Sequence, residues 1–285
     1  VGEAEKESYI LLLVVIACID SGKKAEAFFW AQQSIARAAK LHIATDALVA
    51  RLFFFYHRAA ELCGVKVIAT LLAAYTTATL RQMVETKATL SNLIVRSYVA
   101  ESSYLSAEKF VSKCELDPTV SNQQQARHYF YLGRIHCVHL KYSDAYECLT
   151  TAMRKAPQLP RAKGFHVSAI KWMTLVQLLM GEIPRRSMFL EHGLYGALVP
   201  YFRLTQAVQF GDLTEFGRVT TEFHDWFAED KTLGLVTRIR QNVMRTAVRK
   251  IQLSYSRIGL AEVQKKLGLE TVEDAEWIVA KCIQD

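Results

Sequence analysis

The sequence has few residues that interrupt regular structure, with only five prolines and thirteen glycines among 285 residues. Because proline and glycine are the strongest local breaks in helices and strands, their scarcity predicts long uninterrupted elements. Sustained alternation of apolar and polar residues is also absent, and the long apolar stretches recur instead at spacings of three and four residues. That spacing is typical of helices and argues against a sheet. We therefore predict a nearly all-α protein.

The chain also lacks the short motifs that mark common enzyme classes. It contains no phosphate-binding G-x-x-x-x-G-K-[ST], no dinucleotide-binding G-x-G-x-x-G, no H-E-x-x-H and no G-x-S-x-G. His136 and His139 could share a helix face, but no carboxylate or third histidine lies beside them to complete a zinc site. We predict a protein that is not an enzyme and that binds no cofactor and no metal ion.

The six cysteines include no C-x-x-C pair and are dispersed along the chain. Several lie within apolar helical stretches, which is typical of reduced thiols in an intracellular protein rather than of a disulfide framework. The expected location is therefore the cytoplasm and the nucleus.

An apolar run near the start of the sequence is too short to cross a membrane. It extends from Tyr9 to Ile19 and has eleven residues, whereas a membrane-spanning helix needs about 20. We expect a buried core helix here and no membrane association. Glu3, Glu5 and Glu7 precede the run, unlike the basic start of a signal peptide. Because the chain begins at Val1 without a methionine and ends within a motif, we expect a fragment of a longer protein.

A repeated unit determines the predicted architecture. Its clearest copy extends from Ala126 to about Pro157 and matches the tetratricopeptide (TPR) pattern of about 34 residues. The matching positions are Tyr129, Leu132, Gly133, His136, Ala145, Leu149, Ala152 and Pro157. Weaker copies begin at Lys24–Ala27 and Tyr104–Val111. Repeats of roughly 40 residues with drifting length favour a solenoid of helix pairs.

The last thirty-five residues, Ile251 to Asp285, resemble the opening of a winged helix. A first helix is predicted by the apolar face of Leu260, Val263 and Leu267, and Gly268 after it is suited to a left-handed C-cap. A second helix is predicted after a capping box formed by Thr271 and Asp274. Its apolar stripe consists of Ala275, Ile278, Val279 and Cys282. Two helices joined by a glycine turn form a helix-turn-helix.

Together these patterns predict an all-α fold, a right-handed solenoid of TPR-like helix pairs that continues into a winged helix with a truncated wing. We expect the repeats in residues 1–190 and a second module in residues 191–285. Within the second module, a helical hairpin and a linker helix would occupy residues 191–250. The partial winged helix would occupy residues 251–285.

Basic residues are concentrated in one region of the second module. Between Lys231 and Lys266 there are nine lysines and arginines and one acidic residue, Glu262, while the whole chain has a net charge of +7. This patch could bind nucleic acid, could dock an acidic protein or could be a solvated surface. Sequence-specific reading of DNA by the second helix of the winged helix is disfavoured, because Glu273, Asp274 and Glu276 at the start of that helix would repel phosphates.

Helical repeats that continue directly into a winged helix are the arrangement of the PCI family, and several segments resemble the PCI subunits of the 26S proteasome lid closely. These segments are Leu178–Pro184, Pro200–Val208, Leu253–Ile258 and Glu273–Lys281. Weaker similarity covers nearly the whole chain, although Lys24 stands where this family usually has a tyrosine.

The resemblance implies a non-catalytic scaffold that assembles the lid through helical repeats and a winged helix, in ubiquitin-dependent protein degradation. It implies neighbours that resemble non-ATPase subunits 6 and 8, together with a small, acidic, disordered lid subunit. Two alternative functions stay open. The chain could be a PCI subunit of another complex, such as the signalosome or a translation initiation factor, or a nucleic-acid adaptor of messenger RNA export.

Two sets of residues are candidate binding sites under this resemblance. The acidic subunit could bind the basic residues of the linker helix, which are Arg238, Arg240, Arg245, Arg249 and Lys250. A neighbouring subunit could pair with the edge of a short extended segment, which consists of Ser254, Tyr255, Ser256, Arg257 and Ile258. Tyr255 and Ile258 could equally be core residues of the winged helix.

Overall fold

The computed structural model describes residues 2–38, 45–114, 116–158, 162–190, 193, 195–269 and 271–284. Within these ranges every regular element is a helix and none is a strand, which confirms the all-α prediction. The chain divides into two compact units, of which the first ends at Ile135 and the second begins at His136. No helix in the described ranges is both long enough and apolar enough to span a membrane.

The first unit is built from helices that pack against their neighbours in the chain. They are α1 (Glu3–Asp20), α2 (Lys24–Ala38), α3 (Asp46–Cys63), α4 (Ile68–Leu80), α5 (Val84–Ala100), α6 (Tyr104–Val111) and most of α7 (Asn122–Val138). Contacts join α1 to α2, α2 to α3, α3 to α5 and α4 to α5, as expected for stacked helical repeats. Ala27 and Ala31 of α2 are almost fully buried, so the backbone of α2 approaches its neighbours closely.

The apolar run Tyr9 to Ile19 forms most of α1, but only one face of the helix is buried. Leu12 and Val15 lie in the core, where α1 contacts α2 and α3. On the opposite side Tyr9 and Ile10 are about half exposed. The prediction of a core helix therefore holds for one face only, because the described neighbours cover only that face.

The second unit is organised around one long helix. Its helices are α8 (Tyr142–Lys155), α9 (Lys163–Met180), a 3-10 helix (Arg186–Phe189), α10 (Tyr195–Phe210), α11 (Leu213–Glu222), α12 (His224–Glu229), α13 (Leu233–Ser254), α14 (Leu260–Leu267) and α15 (Val272–Gln284). The long helix α13 contacts α9, α10, α11, α12, α14 and α15. Its residues Val236, Ile239 and Val243 are fully buried, so the helix with the most basic residues also supplies the centre of the core.

The TPR pattern predicted two helices between Ala126 and Pro157, and both are present as α7 and α8. In α8 the small and large apolar positions of the pattern, Ala145, Leu149 and Ala152, are fully buried. This confirms the predicted contact face of α8. The right-handedness of the solenoid stays a prediction.

Most turns between helices share one geometry, in which a single residue adopts a positive φ angle. Glycine occupies this position at Gly22, Gly64, Gly181, Gly211 and Gly268, and other residues occupy it at Gln82, Ser102, Leu140 and Lys231. At Leu140, for example, the Lys141 N–H donates to the His136 carbonyl at 3.0 Å and the Leu140 N–H donates to the Cys137 carbonyl at 3.3 Å. These paired bonds define a Schellman motif, which satisfies the last carbonyls of the helix.

Candidate interaction site around the basic helix

The five basic residues predicted to bind the acidic subunit all lie on α13 and are all exposed, but they do not share one face. Arg238, Arg245 and Arg249 are aligned, because seven and eleven residues correspond to about two and about three helical turns. Arg240 falls on roughly the opposite side of the helix from Arg238. The structure therefore divides these five residues into an aligned arginine face, formed by Arg238, Arg245 and Arg249, and two separate residues.

Lys250 has a role within the second unit. Its Nζ donates to the Phe210 carbonyl at 3.3 Å and lies 5.1 Å from the centroid of the Phe210 ring. Phe210 is the last residue of α10, where the carbonyls carry the negative end of the helix dipole. Lys250 thus attaches α13 to the end of α10, in addition to its solvent contact.

Asn242 is an anchor of α13 that the sequence analysis missed. Its Nδ2 donates to the carbonyls of Leu178 and Leu179 at 2.6 and 3.0 Å. Both carbonyls belong to the last turn of α9, where backbone acceptors have no partner within the helix. More than sixty residues separate donor from acceptors, so no local pattern in the sequence signals the bond.

The segment predicted to be extended is shorter in the structure than expected. Ser254 is the last residue of α13, and its Oγ donates to the Lys250 carbonyl at 2.9 Å. The prediction that Ser254 is extended is therefore wrong, because its side chain bonds the helix backbone one turn earlier. Tyr255 has extended dihedral angles, with φ −132° and ψ 131°. The described residues 255–259 form no strand.

The structure distinguishes the two alternatives for Tyr255 and Ile258. Tyr255 is 42% exposed, and the Nζ of Lys266 lies 4.6 Å from the centroid of its ring. Ile258 is partly buried and packs against the core formed by α13, α14 and α15. Ser256 and Arg257 between them are exposed. Ile258 is thus a core residue, while Tyr255, Ser256 and Arg257 form a surface.

The first helix of the predicted helix-turn-helix ends as expected. In α14, Val263 and Leu267 are buried, and Gly268 at its C-terminus has φ 64° in the left-handed region. Leu260 was predicted on the same apolar face but is exposed at the first position of the helix.

The second helix of the pair begins with the predicted cap. The Asp274 N–H donates to Thr271 Oγ1 at 3.1 Å, which is the Thr half of a capping box. Within α15, Ala275 and Ile278 are buried and Val279 packs against the same core. The predicted stripe is confirmed at these three positions.

An arrangement in the first unit resembles a catalytic triad. His57 Nε2 lies 2.8 Å from Ser97 Oγ, and His57 Nδ1 lies 3.6 Å from Glu61 Oε1. The proton of Ser97, however, is donated to the Leu93 carbonyl at 3.0 Å, so His57 Nε2 acts as donor and cannot deprotonate the serine. Glu61 is held by Arg96 through two bonds of 2.7 and 2.8 Å. The arrangement fastens α3 to α5 and lacks the geometry of a general base.

Burial controls the charge of His57. It is the main cause that lowers the pKa of His57. The Glu61 carboxylate raises this pKa, and the positive charges of Arg96 and Arg58 lower it further. Burial likewise lowers the pKa of His128 on α7. Both imidazoles are therefore neutral at physiological pH, as expected for side chains packed between helices.

A second polar network lies where α9, α10 and the turn before α13 meet. Lys171 Nζ lies 2.6 Å from Asp230 Oδ2, and the Tyr201 hydroxyl donates to the same oxygen at 2.8 Å. Thr232 Oγ1 lies 3.0 Å from the Tyr201 hydroxyl. Burial is the main cause that raises the pKa of Tyr201 far above its usual value. The hydroxyl is thus a neutral donor that links three elements.

No group of three or more His, Cys, Asp or Glu side chains within the described ranges could hold a metal ion. All six cysteines lie in these ranges, and none forms a disulfide. Burial raises the pKa of Cys148 to about 11 and also raises that of Cys114. Both sulfurs are therefore protonated thiols of low reactivity at neutral pH.

Comparison with known proteins gives two family matches that together span most of the chain. Residues 3–205 match the family described as PSMD3-like, N-terminal TPR repeats, and residues 220–285 match the PCI domain. The exposed Tyr255–Arg257 segment and the helices α14 and α15 all lie within the PCI match.

Similarity to curated proteins over nearly the whole of this chain agrees with the family matches. The chain is 45% identical over 287 residues to the probable 26S proteasome non-ATPase regulatory subunit 3 of Nicotiana tabacum. This match covers 99% of this chain and 58% of that protein. Homolog A of the same subunit in Arabidopsis thaliana is 45% identical over 288 residues, covering 99% and 59%. The Drosophila melanogaster protein, named a probable subunit 3, is 40% identical over 287 residues, covering 99% and 58%.

The chain thus spans somewhat more than half the length of the curated relatives that it matches. The first family match alone covers well over half of the chain. The chain therefore belongs to the PSMD3-like family, in which N-terminal TPR repeats precede a PCI domain.

Proposed function

We propose that this protein is a non-catalytic scaffold subunit of the 26S proteasome lid and acts in ubiquitin-dependent protein degradation. The observation that carries the proposal is the similarity over 99% of the chain to proteins named 26S proteasome non-ATPase regulatory subunit 3. The structure offers stacked helices and exposed surfaces. In the triad-like arrangement at His57, the Ser97 proton is donated to the Leu93 carbonyl rather than to the histidine.

We further propose that assembly uses two parts of the chain. The TPR-like repeats would occupy residues 1–190 and the PCI module residues 191–285. In the PCI module, Tyr255, Ser256 and Arg257 would contact a neighbouring lid subunit of the type of non-ATPase subunits 6 and 8. Their exposure between α13 and α14 supports this contact. Ser254 and Ile258 would position the segment, since Ser254 closes α13 and Ile258 packs in the core.

A small acidic lid subunit would bind the aligned arginines of α13, Arg238, Arg245 and Arg249. Their alignment and exposure support this proposal, because complementary charge steers association and fixes register. Arg240 lies away from this face, and Lys250 is engaged with Phe210, so these two would contribute less. The proposed location is the cytoplasm and the nucleus.

The test is affinity purification of the tagged protein from cell extract, with nuclease treatment and mass spectrometry of the bound proteins. The proposal predicts that other lid subunits are recovered in near-equal amounts and that nuclease does not remove them. Partners that disappear with nuclease would instead favour a nucleic-acid adaptor. Recovery of the signalosome or of a translation initiation factor would place the protein in another PCI complex.

Charge reversal tests whether the aligned arginines bind the acidic subunit rather than the other lid subunits. The triple variant Arg238→Glu, Arg245→Glu and Arg249→Glu should lose the acidic subunit from the purified complex. Arg218→Glu on α11 is the control, since its side chain is 78% exposed and lies outside the aligned face. If the triple variant retains all partners in wild-type amounts, the assignment of this face to an acidic subunit is wrong.

A further inference from the structure

The first helix of the repeats has a second apolar face that no described neighbour covers. One face of α1 packs on α2 and α3, whereas Tyr9, Ile10, Leu13 and Ala17 are exposed on another side of the helix. Spacings of three and four residues place Ile10, Leu13 and Ala17 on a single stripe. We call these four exposed residues the α1 stripe.

The turns after α1, α3 and α5 place these three helices in a common register. At each turn the N–H that follows the positive-φ residue donates to the carbonyl five residues earlier. These bonds join Lys23 to Cys18, Val65 to Ala60 and Ser103 to Tyr98, at 3.0, 3.0 and 2.9 Å. In this register Ile10 of α1 corresponds to Leu52 of α3 and to Leu90 of α5.

The equivalent positions differ in burial as the stacking of the helices predicts. Ile10 is 58% exposed, whereas Leu52 is 2% exposed and Leu90 is fully buried. In the same register the exposed Ala17 corresponds to Ala59, which is fully buried. A preceding helix pair contacts both α3 and α5, namely α1 with α2 and α3 with α4. The α1 stripe is therefore built like the side of α3 that a preceding pair covers.

The α1 stripe does not have the composition of the end of a solenoid. Terminal repeats of such proteins have a polar outer face, which keeps the end of the stack soluble. The residues from Tyr9 to Ile19 are all apolar, however. A helix that is apolar nearly all round is typical of a position between two neighbours. The stripe thus has the chemistry of an internal repeat helix and favours a helix as its occupant.

The repeat architecture also indicates where that helix comes from. At α3 and at α5 the covering pair belongs to the same chain, and the repeats of a solenoid follow one another in sequence. The curated relatives have residues beyond the matched region, since the match covers 58% and 59% of two of them. A helix pair of the same polypeptide is therefore the occupant that both observations favour.

We propose that the α1 stripe is the docking surface for a further TPR-like helix pair of the same polypeptide, outside residues 1–285. The second helix of that pair packs on Ile10 and Leu13 as α2 packs on α3. It has small residues at spacings of three and four, because large residues on one helix pack best against small residues on the facing one. The buried residues of α2 are small in this way, and they are Ala27, Ala31, Ser34 and Ala38.

Cysteine labelling tests the proposal in the 285-residue chain and in the complete product of the gene, each purified without other proteins. Leu13→Cys places a thiol on the stripe. Its reaction with a maleimide is followed at that site by peptide mass spectrometry, which separates it from the six native cysteines. We expect the thiol to react at least about tenfold more slowly in the complete product, because packed residues react only when the local structure opens.

Leu105→Cys is the matched control, because Leu105 is also an exposed leucine of a repeat helix, α6, but lies outside the α1 stripe. Its thiol should react in the two proteins at rates that agree within about twofold. Circular dichroism and the melting temperature of each variant establish that the fold is retained.

Three results would overturn the proposal. They are equal reaction rates of Leu13→Cys in the two proteins, protection that appears only when other lid subunits are added, and protection of the 285-residue chain that increases with its concentration. The second result would assign the stripe to a partner subunit, and the third to a second copy of this chain. Each differs from failure of the proposed function, which is measured by recovery of lid subunits with the unaltered protein.

Discussion

Gly211 and Ala247 meet backbone to backbone where the turn after α10 crosses α13. A Cβ atom on Gly211 would lie 2.8 Å from both the Cα and the N of Ala247, and Gly211 has φ 64°. The position therefore requires glycine both for its dihedral angle and for its lack of a side chain. This close approach holds Phe210 against α13, where Lys250 binds the Phe210 carbonyl.

Replacing Gly211 by alanine should lower the free energy of unfolding by about 3 kcal/mol, since the change combines a strained φ with a clash against immobile backbone. The matched control is Gly268→Ala, which has the same φ but whose added Cβ would lie 3.7 Å from Thr214 Cγ2. The control should cost only about 1 kcal/mol. Urea denaturation measures both, and equal losses would show that the contact with Ala247 contributes nothing.

Among the turn residues with a positive φ angle, Leu140 is the least expected, because a branched side chain disfavours positive φ. It has φ 66° and is 58% exposed, so it has a strained backbone and limited packing to compensate. Leu140→Gly should raise the free energy of unfolding by about 1 kcal/mol.

Leu140→Ala provides the control, because it removes nearly the same side chain but keeps the Cβ atom that disfavours positive φ. Its stability should stay within about 0.5 kcal/mol of the wild type. If the alanine and glycine variants have the same midpoint in urea, the strain at Leu140 has been overestimated.

Local signals in the sequence predicted the parts of the fold that depend on local physics. Gly211 followed by Asp212 is a local signal for a helix end followed by a helix start, and Asp212 accepts bonds from the N–H groups of Thr214 and Glu215 at the start of α11. The left-handed cap at Gly268 was predicted for the same reason. Such signals act over four or five residues.

The candidate site was less predictable because it depends on how distant helices cross. The nine basic residues between Lys231 and Lys266 gave no indication that Lys250 binds Phe210 or that Arg245 and Trp277 line the same pocket. The helical hairpin predicted within residues 191–250 is interrupted in the structure at Phe223, between α11 and α12. Only three-dimensional packing shows that Lys250 has a partner within the second unit.

The hydroxyl of Tyr201 should contribute to stability through its bond to Asp230. Tyr201→Phe removes this donor and leaves the carboxylate with Lys171 alone, so the free energy of unfolding should fall by about 1.5 kcal/mol. Tyr195→Phe on the same helix is the control, because Tyr195 is 48% exposed. Thermal and urea unfolding compare the two variants, and a loss of similar size in both would contradict the role of the network.

Stability should decrease as the pH falls below about 6.5, the ordinary pKa of histidine. Burial lowers the pKa of His57 and of His128 in the folded protein. The unfolded chain therefore binds more protons than the folded protein in this range, so acidification favours unfolding. Above that pH both histidines are unprotonated in the folded and in the unfolded protein, so they cause no pH dependence of stability there.

Urea midpoints measured from pH 7.5 down to about pH 5 test this dependence. The double variant His57→Gln and His128→Gln should have a flatter profile, since glutamine does not titrate and can still donate to Ser97. His224→Gln, at an exposed site, should follow the wild type. A double variant with the wild-type slope would mean that other groups cause the acid sensitivity.

Tyr255 and Ile258 should respond differently to substitution by serine, because one lies at the surface and the other packs in the core. Ile258→Ser should lower the free energy of unfolding by about 2 kcal/mol. Tyr255→Ser should change it by less than about 0.5 kcal/mol but should reduce the recovery of lid subunits from extract. The melting temperature and the amount of co-purified subunits are measured for each variant. If Tyr255→Ser lowers the melting temperature as much as it weakens assembly, the tyrosine stabilises the fold and the proposed contact surface at 255–257 loses its main residue.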